Sequence, residues 1–216
     1  IKLPYTFIEG NLGTNNGFGD ISVAYTRILH KAEKYNISYT IGGKIPTNNS
    51  NQKDDKTFSV EDTSVSRALP MFHQTSLGSW DIILGISLVS KKWLLAIGYQ
   101  QALTRNKNDF KWSEWQDYPD FHYVKKYTIG THLLRGIDVM FRAERNWRFS
   151  KWNFNLGALP IYRITKDSRK SVDLKTISKI DKTTGLALSI ISGAGYQLNV
   201  NHGLRLLYGL KLYDRD

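Results

Sequence analysis

The feature that most constrains the fold is an alternation of apolar and polar side chains with a period of two residues. In residues 18–29, for example, Ile21 and Val23 lie on one face of an extended chain, and Ser22 and Thr26 lie on the other. This period is typical of a strand with one apolar face. Strands of this length, with a polar second face and aromatic side chains near their ends, are what a bilayer-spanning barrel requires.

The alternation predicts eight strands arranged as four hairpins. The predicted pairs are 18–29 with 35–45, 79–90 with 93–104, 136–149 with 152–165, and 184–198 with 203–213. Short turns join the two members of each pair, and the long polar connections 46–78, 105–135 and 166–183 separate the pairs. Bacterial outer-membrane barrels have short periplasmic turns and long extracellular loops, so we expect the long connections to lie outside the cell.

The predicted fold class is all-β: a transmembrane antiparallel up-and-down β-barrel, forming one domain over 1–216, with about ten strands. Residues 1–10 are expected to end a preceding upward strand, and at least one closing strand is expected after residue 213. Twelve strands would require further membrane-crossing strand within 66–78 or 120–135, which we expect instead to extend strands above the membrane. The alternative is a soluble sandwich or lipocalin-like barrel, whose apolar face would point inward.

The amino-acid composition excludes some kinds of site and of membrane segment. It contains no cysteine, which excludes disulfides and thiolate metal sites. The nearly apolar run 185–196 is too short and too rich in Gly and Ser for a membrane helix. The net charge is +11, and acids interleave with bases in loops such as 165–183. We therefore expect solvated loops that meet outer-membrane lipid and lipopolysaccharide phosphates, with no cofactor or metal.

Charged residues on the polar face of the predicted strands are candidates to line the barrel lumen. They are Asp20, Lys44, Asp81, Asp138, Arg142, Glu144, Arg148, Arg205 and Lys211. Such groups could form a charged constriction that selects solutes, or a salt-bridged plug that fills a small barrel. In either arrangement we expect pairing, because a buried unpaired charge is costly.

Aromatic residues fall into two groups. Those near strand ends are candidates for the aromatic girdle at the membrane interface: Tyr35, Trp80, Trp93, Trp147, Trp152 and Tyr196. Those in the loop 105–127 are candidates for an extracellular contact: Trp112, Trp115, Tyr118, Phe121 and Tyr123. We expect this loop to fold inward as a lid, or to bind a protein partner or a sugar, rather than to stack nucleic acid bases.

The histidines have no zinc-type spacing. His73 lies near Ser76, and a surface lipid hydrolase would need such a Ser–His pair together with a third orienting residue. Because nothing else in the sequence marks such a site, we expect no enzymatic activity.

Several short motifs resemble a family of bacterial outer-membrane barrels related to the phenol-degradation meta-pathway protein, which is distantly similar to the long-chain fatty-acid transporters. The motifs are GFGD at 17–20, GKIPT at 43–47, Leu69-Pro70 with Gln74, LGSWD at 77–81, and the penultimate-strand segment 208–216. They cover most of the chain in order. The resemblance implies an outer-membrane pore or carrier of small hydrophobic solutes in a Gram-negative bacterium, and the Lys- and Asn-rich composition suits Bacteroidota. The alternative is an accessory barrel subunit of a larger outer-membrane complex.

Overall fold

The computed structural model describes residues 1–54, 66–170 and 176–214. In chain order the strands are β1 Tyr5–Gly10, β2 Gly13–Phe18, β3 Ile21–Lys31, β4 Tyr35–Ile45, β5 Lys53–Asp54, β6 Arg67–Ala68, β7 Asp81–Ser90, β8 Trp93–Ala102, β9 Asp138–Phe149, β10 Trp152–Arg163, β11 Ser168–Lys170, β12 Ile177–Lys179, β13 Gly185–Gln197 and β14 Gly203–Tyr213. Short 3₁₀ helices span Met71–His73 and Trp112–Trp115, and the α-helix α1 spans Phe121–Lys125. Within these ranges, no helix is long and apolar enough to cross a membrane.

Eight long strands form one antiparallel sheet in the order β3-β4-β7-β8-β9-β10-β13-β14. Each strand pairs with the long strand before and after it in the chain, which is an up-and-down arrangement. The predicted strands are therefore confirmed, with ends that differ by at most three residues. In the described residues β3 and β14 are the sheet edges and do not pair with each other, so the barrel's closure and its strand count of about ten stay predictions.

The cross-strand register collects apolar side chains on one face. Tyr25 pairs with Ile41, Ile41 with Leu84, Leu84 with Tyr99, and Tyr99 with Val139. Because side chains alternate between faces along a strand, this row belongs to a continuous apolar surface. That surface is exposed, whereas Glu144 on the opposite face is 2% exposed.

The long connections pack together at one end of the sheet into what we call the loop cap, residues 1–20, 46–54, 66–80, 103–137, 164–170 and 176–184. Its core contains Leu12, Ala68, Leu69, Phe110, Trp115 and Val124. Two hydrogen bonds show how closely the connections interlock: Trp115 Nε1 donates to the Ala68 carbonyl at 3.2 Å, and Asn108 Nδ2 donates to the Leu69 carbonyl at 3.0 Å. The apolar core of the molecule therefore lies in its loops.

Two sequence-based expectations were wrong about the connections. Residues 5–10 do not end a barrel strand: β1 folds back on β2 across a tight turn after Gly10, where Gly13 has a φ of 153° that favours glycine. Lys2, just before this hairpin, bridges Ser22 of β3. Residues 66–78 and 120–135 do not extend the long strands. The first segment contains only the short strand β6, which pairs with β5, and a 3₁₀ helix. In the second, the Asp120 side chain accepts a hydrogen bond from the Tyr123 amide and begins α1.

Candidate functional site

The polar face of the sheet is the candidate channel surface, and its charges form clusters at different heights. At the cap end, Lys44 pairs with Asp81 in the β4–β7 register. The Lys44 Nζ atom lies 3.3 Å from Asp81 Oδ2 and 3.4 Å from Asp20 Oδ2. All three side chains are buried, so this ion triad links β3, β4 and β7 where the strands meet the loop cap.

Loop residues complete this cap-end cluster. Ser76 Oγ donates to Asp20 Oδ1, Ser79 Oγ donates to Asp81 Oδ1 at 2.7 Å, and the Arg135 guanidinium donates to Asp81 Oδ2. Many of these residues come from the sequence motifs 17–20, 43–47 and 77–81, which are far apart in the chain. The structure brings these motifs together as the hydrogen-bonded joint between the sheet and the loop cap.

A second cluster is centred on Arg163. Its guanidinium donates to both oxygens of Asp138 at 2.8 and 2.9 Å and to both oxygens of Asp167 at 2.8 and 2.9 Å. The contact with Asp138 uses two guanidinium nitrogens, Nε and Nη2, and is the strong bidentate form of the Arg–carboxylate pair, whereas Nη1 alone donates to both oxygens of Asp167. Arg163 and Asp167 were not among the candidates from sequence. The alternation of β10 places Arg163 on the polar face and could have found it, whereas Asp167 lies in a connection without periodicity.

The third cluster lies farther down the polar face. Glu144 is 2% exposed and accepts hydrogen bonds from Arg142 and from Asn155 Nδ2, the latter at 3.1 Å. Glycine at position 157 provides the space for this carboxylate, because a Cβ there would lie 2.3 Å from Glu144 Cγ. The third cluster therefore depends on a close approach that only glycine allows.

The turn end of the polar face carries a different charge pattern. Arg148, Asn153, Gly195 and Arg205 occupy one cross-strand row. Both arginines are exposed, and in the described residues neither makes an ion pair. Lys211, higher on β14, pairs with Asp214. The polar face is thus charge-paired at the cap end and positively charged at the turn end.

A cavity of about 310 Å³ opens where the loop cap meets the polar face. Apolar side chains line one part of it: Met71, Phe72, Leu77, Ile129, Leu133 and Ile180. Its cations are Arg135, Arg163, Lys182 and Lys211. Arg135, Arg163 and Lys211 already contact carboxylates. The cavity therefore combines apolar surface with largely neutralised charge.

The girdle candidates lie at the ends of the long strands, on the exposed apolar face. Tyr35, Trp93, Trp147, Trp152 and Tyr196 lie near the short turns, and Trp80 lies at the cap end. Trp152 and Tyr196 are cross-strand partners with ring centroids 4.7 Å apart. This is the placement that interfacial aromatic side chains take in membrane proteins.

The aromatic loop packs into the core of the loop cap, so its role as a lid over the lumen stays a prediction. Trp115 is fully buried, so this residue cannot form the extracellular contact surface suggested for it. The physical reason is that its ring packs against Phe110 and Tyr118 and completes the cap core. Trp112, Tyr118, Phe121 and Tyr123 also pack against that core and keep part of their surface accessible.

His73 and Ser76 make separate contacts. His73 is buried, and its Nε2 lies 3.4 Å from the Tyr127 hydroxyl, whereas the Ser76 hydroxyl donates to Asp20. Burial lowers the pKa of His73, opposed in part by a hydrogen bond with the Gly13 backbone. Burial and the Tyr123 hydroxyl raise the pKa of Tyr127 to about 12. Among the described residues, no group of three His, Asp or Glu side chains could hold a metal ion.

The fold is similar to that of an outer membrane channel from Pseudomonas putida F1. The likeness has a TM-score of 0.60 and covers 97% of this chain and 67% of that chain, at 14% sequence identity. At this sequence identity the comparison shows similarity of fold alone. No protein-family model and no curated protein matches the sequence.

Proposed function

We propose that this chain forms an outer-membrane β-barrel channel that conducts small solutes passively, with the polar face of the sheet lining its lumen. The observation that carries the proposal is the exposure of the sheet's apolar face while charged groups on the other face are buried in pairs. Such an arrangement suits strands whose outer surface meets lipid rather than water. The fold likeness to a channel supports the same conclusion.

The cavity below the loop cap favours a small, largely apolar solute. Three of its four cations are already ion-paired, and Met71, Phe72 and Leu133 offer apolar surface. A charged solute would have to compete with these existing pairs. The sequence motifs that resemble the phenol-degradation barrel family support the same class of solute. We propose that passage involves neither covalent chemistry nor a cofactor.

Planar-bilayer recording tests the proposal. We expect stepwise conductance from the purified protein, with a preference for anions that arises from Arg148 and Arg205 at the turn end. The double variant R148Q/R205Q should reduce this preference. R145Q is the matched control, because Arg145 lies over the Trp93 ring on the apolar face. A folded protein that neither conducts nor takes up solute would overturn the channel proposal.

A second function follows from the buried Arg142–Glu144–Asn155 cluster, which occupies the polar face without solvent access to Glu144. If such clusters fill the lumen, the barrel would serve as an accessory subunit that binds a protein partner in an outer-membrane complex. Purification in mild detergent separates the two functions. A stoichiometric partner together with absent conductance favours the accessory role, and a conducting monomer excludes it.

A further inference from the structure

A second pocket on the loop cap, next to the cavity at the polar face, has a marked excess of positive charge. Its volume is about 340 Å³, and it lies between the segment 112–129 and residues 169 and 179–181. Four cationic side chains line it: Lys125, Lys126, Arg169 and Lys179. The one carboxylate in its lining, Asp181, is paired with Lys166 at 2.6 Å, which lowers the pKa of Asp181.

Within the part of the chain that the structure describes, the four cations keep their charge available for a ligand. Lys125 and Lys126 lie over the rings of Phe121 and Tyr123, at 4.8 and 5.6 Å from the ring centroids. Across the ranges that the structure describes, these two lysines, Arg169 and Lys179 form no ion pair with a carboxylate. Arg169 is half-buried and lines the pocket.

Two aromatic residues also line the pocket, beside Thr128, Ile129 and Ile180. Trp112 and Tyr127 line it, and Trp112 Nε1 donates to the Tyr127 carbonyl at 2.9 Å, which fixes the indole ring. Arginine and lysine together bind phosphate through charge-assisted hydrogen bonds. A rigid aromatic surface beside them offers a face on which the carbon-bound hydrogens of a sugar ring can pack.

We propose that this pocket binds a phosphorylated sugar, with the phosphate held by Lys126 and Arg169 and the sugar ring packed against Trp112. Two sources present this chemistry at the outer surface of an outer membrane: the phosphorylated glucosamines of lipopolysaccharide in the outer leaflet, and soluble sugar phosphates. The shared chemistry is a phosphate monoester on a saccharide. The pocket shares Thr128, Ile129 and Ile180 with the cavity below the loop cap but none of that cavity's cations, so ligand binding can be measured without conductance.

Binding measurements on the purified full chain in nonionic detergent test the proposal. The probes are glucose 6-phosphate with glucose as the uncharged control, and bisphosphorylated lipid A with its dephosphorylated form as control. We expect phosphate-dependent binding that weakens about tenfold in K126Q/R169Q and weakens further as salt is raised. The matched control is K91Q/K92Q, which removes the same charge from the β7–β8 turn at the opposite end of the sheet.

The outcomes separate the sources and can overturn the site. Binding of lipid A alone assigns the pocket to outer-leaflet lipid, and binding of glucose 6-phosphate assigns it to a soluble ligand. The proposal is overturned if neither probe binds, if glucose binds as well as its phosphate, or if both double variants weaken binding equally. Circular dichroism checks that K126Q/R169Q retains the fold.

Discussion

The sheet and the loop cap place their apolar side chains in opposite ways. Ile86 and Ile97, in the middle of the sheet, are 55% and 53% exposed, whereas Phe110 and Trp115 in the loop cap are fully buried. Several charged groups of the sheet, such as Glu144 and Asp81, are buried, whereas Lys125 and Lys126 of the cap are exposed. One chain thus combines the surface of a membrane protein with the core of a water-soluble one.

The opposite placement of apolar side chains in the sheet and in the cap indicates that the two regions suit different solvents. In water the exposed apolar face of the sheet would be a severe aggregation liability. In a bilayer the same face requires no covering, and the polar groups must find partners among themselves. In the proposed channel the cap lies beyond the bilayer, and there burial of apolar surface stabilises the fold as it does in water-soluble proteins.

Replacement of Trp115 by Ala should give the largest effect. Removal of this fully buried indole leaves a cavity among Phe110, Tyr118 and Ala68 and should destabilise the cap by about 4 kcal/mol. Hydrogen exchange should rise across 106–131 and stay low in β7 and β8. The control is Ile86→Ala on the exposed face of the sheet, where we expect little change. Equal destabilisation by both would contradict the comparison.

Replacement of Arg163 by Met should be nearly as costly. It leaves Asp138 and Asp167 buried without their cation and should destabilise the joint between sheet and cap by about 3 kcal/mol. Denaturant unfolding in detergent micelles measures the loss. Lys211→Met breaks an ion pair whose side chains are exposed and should change stability little. A neutral Arg163→Met variant would show that this cluster does not support the joint.

Replacement of Gly157 by Ala tests the packing of the polar face. The added methyl would lie 2.3 Å from Glu144 Cγ and 2.4 Å from the Ala143 carbonyl oxygen, and we expect a loss of about 2 kcal/mol. Gly209→Ala on β14 meets nothing within 4 Å and is the matched control. If the two variants unfold at the same denaturant concentration, Glu144 and Gly157 are not in close contact.

The smallest expected effect is a pH dependence confined to the cap. Because burial lowers the pKa of His73 below its ordinary 6.5, the unfolded cap binds a proton more readily than the folded one. Stability is therefore full above about pH 6.5 and falls as the pH drops through the folded pKa, by no more than about 1.4 kcal/mol per pH unit. Hydrogen exchange, corrected for its intrinsic pH dependence, should show this loss in the cap. His73→Gln should abolish it, and His202→Gln in the exposed β13–β14 turn should not.

The long strands could be predicted from sequence because their signal is local. Alternation in β7, β8 and β9 depends on neighbouring residues, and the two faces of each strand meet different surroundings. The same alternation placed Asp138 and Glu144 on the polar face. It could not pair them, since the partners Arg163 and Asn155 depend on the register between strands.

The loop cap could not be predicted in the same way. Leu12, Leu69 and Trp115 meet from three different segments of the chain, and no periodicity in the sequence predicts such contacts. Trp115 resembled an exposed contact residue because loops are usually solvated. The β1–β2 hairpin includes Gly13, whose φ is positive. The alternation of apolar and polar residues gives no information about the φ of a single residue, so it did not predict this hairpin.

Site-directed labelling tests the central claim that the apolar face meets lipid and the polar face meets water. The chain has no cysteine, so Ile86→Cys and Ser87→Cys each introduce a single thiol on opposite faces of β7. In proteoliposomes we predict that a hydrophilic maleimide reacts with the cysteine at position 87 and that a lipid-soluble maleimide prefers the one at position 86. The reverse pattern would contradict this claim, because it would place the apolar face in water and the charged face against lipid.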